Sequence, residues 1–189
     1  MLRPINKLVL LFLFSITSCK SQNIEKKLRD CVNTEINEYH YFDEPNYFDF
    51  YEFILKIENS IVKDNLLKEI KRENYKGLLF SIIEREKDYS KSLEKILGVF
   101  NENKFYLYSV DIIFNQCPYK ISKSGTGNEY EKLYLKGKIL NEIMKSGYNN
   151  KKLISELFSN YTSIDFEKIE YRAVIILLVA INMDLVENR

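Results

Sequence analysis

The chain has no tryptophan, a single histidine, three cysteines, three prolines and six glycines, and its charges nearly cancel. Each shortage removes a class of chemistry or architecture. One histidine, His40, cannot make an HExxH zinc helix or any multi-histidine metal centre. Three cysteines, one of them claimed below for another role, leave too few thiolates for a structural zinc centre. No G-x-S-x-G elbow is present to expose a nucleophilic serine, and SKSGTGNE lacks the Walker spacing because Lys123 precedes both glycines. Neither a metal nor a cofactor is therefore expected. The 28 basic and 27 acidic residues leave a net charge of +1, with Lys and Glu interspersed rather than gathered into a stripe. Nothing neutralises a phosphate backbone, so nucleic acid is not an expected partner. The missing tryptophan also counts against a sugar-stacking platform. The 14 Tyr and 12 Phe accompany abundant Lys, Asn and Ile, as AT-rich coding would produce.

Long apolar runs are missing too. Leu8 to Phe14 is seven residues and Ala173 to Ile181 is nine, against the roughly 20 that span a bilayer as helix. The first run follows Arg3 and Lys7 and precedes the small residues Ser15, Thr17 and Ser18, which is the tripartite layout of a secretory signal. Ile16-Thr17-Ser18-Cys19 resembles a bacterial lipobox, an aliphatic residue and two small ones before an obligatory cysteine.

The resemblance covers only about the first 20 residues. It implies cleavage before Cys19, acylation of its thiol, and a product held at a membrane by lipid. Two or more acyl chains anchor stably, because each buried methylene contributes about 0.8 kcal/mol. The domain plan that follows is a signal peptide over 1–18, a short tether over 19–22, and one domain over 23–189. Lys20, rather than aspartate, follows the cysteine, which in lipoproteins of this kind favours the outer membrane over inner-membrane retention. The expected address is the cell envelope, with the periplasmic and surface faces both open. With Arg3 and Lys7 removed, 26 basic residues face 27 acidic ones.

Lipidation of Cys19 leaves Cys31 and Cys117, 86 positions apart. In an oxidising envelope such a pair is a candidate disulfide, worth roughly 4–5 kcal/mol in the chain-entropy model. Two buried free thiols are the other reading.

Scarce Pro and Gly, and the lack of Asn-Gly or Asp-Gly turns, predict an all-α domain. The first helix runs from Asn23 to about Tyr39, with Ile24, Leu28, Cys31, Val32 and Ile36 along one side. A second starts near Pro45, capped by Asp43 or Asn46, with Asp49 in its first turn. Asp64 to about Arg85 reads as helix with Gly77 as a point of division, and Ser90 or Ser92 opens the next. Phe105 to Phe114 is ambiguous between helix and strand, and Pro118 ends it. Asn128 and Glu131 resemble a capping box, Gly147 stops that helix, and Asn150 to Tyr161 follows. The last helix spans Asp165 to about Val186, and AVIILLVAI, apolar on every side, should be its buried centre. Starts near Asn46, Asp88 and Asn128 recur at a period of roughly 40, that of HEAT-like repeats. The expected fold is an irregular helical bundle or a short HEAT-like stack of hairpins, with α+β as the alternative if either apolar run is a strand.

One local cluster could support chemistry. Asp43, Glu44, Asp49 and Glu52 lie among Tyr41, Tyr47, Phe48 and Tyr51, and paired carboxylates beside aromatics suit glycan hydrolysis. First-turn acids satisfying a helix amino end explain the same residues more simply. His40 reads as a capping or half-buried side chain, and Asp111 as part of a solvated stripe with Asn115. The functional expectation is therefore a membrane-anchored, non-catalytic protein-binding domain, either an immunity-type protein or an accessory subunit of an envelope complex. A small envelope glycan- or peptidoglycan-acting enzyme is the competing class, and a binder of a small apolar ligand between helices is a third.

Overall fold

A computed structural model describes residues 24–39, 47–103, 105 and 109–187. The signal segment and Cys19 lie outside the described residues, as do His40, Tyr41, Asp43 and Glu44. Ile24, Leu28, Val32 and Ile36, one turn apart, are buried along helix α1 (24–39). The polar residues between them also work. Asn33 Oδ1 accepts from Phe50 N at 3.0 Å, while the Asn37 amide accepts from Phe48 N at 2.9 Å and donates to Phe48 O at 2.8 Å. The segment 47–49 is thereby fastened to α1, and its direction sets where α2 (Phe50–Lys63) begins.

Asp49 caps α2, accepting from Tyr51 N at 2.9 Å and Glu52 N at 3.3 Å. This corrects the expectation of a helix opening near Pro45 with Asp49 inside its first turn. Docking of Phe48 and Phe50 onto α1 holds Asp49 extended, so the first free helical N–H groups fall after it. The helix predicted from Asp64 is also corrected. Asp64 ends α2, Asn65 takes φ 55°, and Leu66 N and Asn65 N bond back to Ile61 O and Val62 O, a Schellman ending. Helix α3 (Arg72–Ile83) runs undivided through Gly77 and ends the same way at Arg85, φ 56°.

Helix α4 (Ser90–Glu102) opens where Asp88 accepts from Ser90 N at 2.9 Å. The ambiguous stretch after it contains no strand among its described residues. Instead a π-helical turn, Ile112–Gln116, leads straight into α5 (Cys117–Ser122). Pro118, expected to end the Phe105 to Phe114 stretch, sits in the first turn of α5, and the helical chain continues through it. Proline lacks an N–H and its ring crowds the carbonyl four residues back. The widened turn just before it takes up that misfit.

Helix α6 (Asn128–Ser146) starts from Gly127, not from an Asn128 capping box. Asn128 is already helical, and the Gly127 carbonyl takes the first bonds, from Tyr130 N and Glu131 N. Gly147 closes it. Asn150 caps α7 (Lys151–Ser159) through Leu153 N at 3.2 Å. The predicted last helix is two: α8 (Ser163–Glu167) and α9 (Ile169–Glu187), parted by Lys168 in an extended conformation. A true capping box, Thr162 with Asp165, opens α8.

Every residue of α9 from Tyr171 to Met183 is buried, and α2, α3, α4 and α8 all pack on it. In a repeat stack each hairpin would touch only its neighbours. Here one helix collects partners from both halves of the chain, and the fold is an all-α bundle around α9. Fully burying an aliphatic side chain stabilises by about 1.5–3 kcal/mol, so the buried run AVIILLVAI makes a large apolar contribution to the fold. Cys31 and Cys117 are joined in a disulfide with Cα atoms 5.9 Å apart, tying α1 to α5. Closing 86 positions of chain contributes about 4–5 kcal/mol in the entropy model.

Candidate functional site

Beside that disulfide, α5 and α6 approach closely. A Cβ built on Gly137 would stand 3.0 Å from Pro118 Cβ, so glycine lets the two backbones meet there. Past this contact the helices present parallel rows to solvent. Asn115, Tyr119, Ser122 and Lys123 come from the α5 side, and Tyr130, Tyr134, Lys138 and Asn141 recur on one face of α6. Between the rows run two hollows of about 210 and 270 Å³ that share Tyr134 as a common wall. Gly125 bounds the second, where any Cβ would enter the Tyr130 ring at 2.3 Å. Glycine there seats the tyrosine.

Tyr119 and Tyr134 are 53% and 44% exposed, large apolar surfaces left uncovered. Their ring centroids are 6.3 Å apart and tilted by 48°, and the Lys123 ammonium rests 5.5 and 5.4 Å from them. Such an ammonium over aromatic faces is worth about 0.5–1 kcal/mol at an exposed site. Among the described residues neither Lys123 nor Lys138 has a carboxylate partner. Lys120, on the other side of α5, is paired with Glu35 of α1 at 2.6 Å, which raises its pKa. At the far end Asp111 accepts from Asn115 at 3.3 Å and Gln116 at 2.6 Å, so the expected solvated stripe is a local side-chain network. Phenols, amides and ammonium groups of this kind offer hydrogen bonds and ring faces to a ligand.

The groove floor covers a buried cation. Lys136, 4% exposed, bonds Asp165 at 3.0 Å and lies 4.2 and 4.6 Å from the ring centroids of Tyr161 and Tyr171. Burial lowers its pKa against the pull of Asp165. Burial also works to raise Asp165, but the Thr162 N–H and the Lys136 ammonium prevail and hold it below the usual range. The adjoining cavity, between Leu28, Val32, Ile113 and Val174, has about 20 Å³, room for roughly one water. That is far too small for the apolar ligand considered from sequence.

A second buried network, between α2, α3 and α9, joins Arg172 to both Glu58 carboxylate oxygens at 2.6 and 2.9 Å. Tyr75 also donates to Glu58, and burial, then the Glu58 charge, push the Tyr75 phenol well above its usual range. Arg172 and Glu58 are 114 positions apart, and no sequence pattern links them.

Of the carboxylate cluster, Asp49 is engaged as the α2 cap and lies 3.9 Å from Arg29, while Glu52 is exposed in the first turn. Asp43 and Glu44 fall outside the described residues. Among the described residues no group of three or more His, Cys, Asp or Glu could hold a metal ion, and no helix is long and apolar enough to cross a membrane. Tyr119 and Tyr134 escaped the sequence reading although Tyr130, Tyr134, Lys138 and Asn141 already share a helical face, because tyrosine is common throughout this chain. Protein-family models, curated proteins and solved structures all fail to match the chain.

Proposed function

We propose that the chain is a lipid-anchored envelope protein that acts without catalysis, by holding a partner protein along the α5–α6 groove. Its lipid is carried by Cys19, and Lys20 stands where a retaining aspartate would hold it at the inner membrane, which favours the outer membrane. The observation that carries the reading is the exposed Tyr119–Tyr134 pair set among amides on two closely packed helices. Tyr and Asn are the residue types protein-binding surfaces favour, because a rigid ring gives contact area at little entropic loss. Five peptide units separate Cys19 from Ile24, at most about 17 Å of chain. Lys27 of α1 donates to Tyr130 at 3.3 Å, which joins the start of α1, the part of the domain next to the tether, to the Tyr130 end of the groove. An immunity-type protein or an accessory subunit both fit a groove so placed.

The test is a photo-crosslinking residue at position 134 in native membranes, with one at Ile70, 45% exposed and remote in the chain, as control. A single stoichiometric adduct from position 134, absent from position 70 and from cells carrying Cys19→Ala, is the expected result. Equal adducts from both positions would remove the groove from the account. Unchanged labelling by radioactive palmitate in Cys19→Ala would remove the anchor.

A further inference from the structure

We infer that the groove receives an extended, acidic segment of the partner, a statement that rests on the groove being the binding surface proposed above. Three features select that occupant. The first is charge: Lys123 and Lys138 line the two hollows without a carboxylate partner among the described residues, and Glu131 is the one carboxylate in either lining. The neighbouring Lys120, outside the groove, is by contrast already neutralised by Glu35.

The second is hydrogen-bond polarity. Ammonium groups only donate, so Lys123 and Lys138 each call for an acceptor, while the phenols and amides around them can serve either way. An extended acidic segment brings carboxylates together with backbone carbonyls left free by the lack of helical bonding.

The third is length. From Tyr130 to Asn141 the α6 face rises about 16 Å, which an extended chain crosses in about five residues. Lys123 already occupies the tyrosine faces as an internal cation. An incoming carboxylate draws that ammonium off the rings and frees them for an apolar side chain of the same segment, so charge and aromatic contact are gained together.

The intact lipidated protein in detergent is applied to an addressed array of random octapeptides. Bound peptides should be enriched in Asp and Glu by about threefold or more over the array, and binding should weaken steeply with salt. Lys123→Glu with Lys138→Glu should invert the preference toward Lys and Arg, which mere loss of structure would not do. Tyr134→Ala should weaken binding about tenfold while leaving the melting temperature unchanged. Hits without acidic enrichment, or an enrichment that survives the double glutamate variant, overturn the inference. So does Tyr134-dependent binding of a chitin tetrasaccharide or of phosphatidylglycerol vesicles in place of peptides. If hits are neutral but crosslinking at position 134 still yields one partner, only the acidic selection falls. If both fail, the groove falls with it.

Discussion

The bundle is held together differently on its two sides. Around α9, apolar side chains from four helices close over a core in which the charged pair Arg172 and Glu58 is joined through both carboxylate oxygens. Around α5 and α6 buried apolar side chains such as Phe114, Ile121, Leu140 and Ile143 are joined by a covalent staple to α1, a glycine-enabled contact with Pro118, and a lysine buried between tyrosines. The first side tolerates little change, because every position there touches something. The second adds the staple and the buried lysine to its apolar inner face and leaves the outer faces of its helices to carry tyrosine, lysine and asparagine. A binding face is easier to vary on such a side. It needs no support from the residues it displays.

Removing the staple is the sharpest way to break this contrast. Cys31→Ser with Cys117→Ser should lower stability by about 4–5 kcal/mol in urea titration, with protection of α5 and α6 amides in hydrogen exchange falling before that of α9. Equal loss of protection across α9 and α5 would show that the two sides are one cooperative unit.

On the α9 side, Glu58→Leu should cost about 3–5 kcal/mol, because it strands the Arg172 guanidinium and the Tyr75 hydroxyl in the core. Pairing it with Arg172→Met should recover most of that loss. Failure of the double variant to recover would mean that the pair fixes packing beyond its own charges.

The smallest expected effect is pH-dependent and belongs to the groove side. The Asp165 carboxyl titrates below its ordinary 3.8 in the folded chain. Its contribution is therefore complete above pH 3.8 and is lost as pH falls through the lower folded value, since the unfolded chain takes up the proton first. Stability against pH should show this extra acid loss in the wild type and lack it in Asp165→Asn. An identical acid limb in both would leave the Lys136–Asp165 contact without a stabilising role.

Several features were legible before any tertiary contact was known. AVIILLVAI announces a buried helix because no face of it is polar, and Ile24, Leu28, Val32 and Ile36 mark a single buried stripe. Helix ends were harder. Asn65 and Arg85 close α2 and α3 in the left-handed conformation without glycine, so the usual signal is missing. The sequence offers Asp43 or Asn46 as the cap of α2, and it is the hold of Asn33 and Asn37 on Phe50 and Phe48 that makes Asp49 the cap instead. Asn128 and Glu131 have capping-box spacing, yet the box that forms is Thr162 with Asp165. Spacing permits both, and the backbone entering the helix selects.

Composition and periodicity alone thus determined an all-α chain with α9 at its centre, because burial of apolar side chains is proportional to area and needs no particular partner. Only the tertiary structure decided that Cys31 meets Cys117, that Arg172 meets Glu58, and that Tyr119 and Tyr134 flank one groove. Those contacts are directional and short-ranged. They depend on which helices lie side by side, and the linear order of residues does not carry that information.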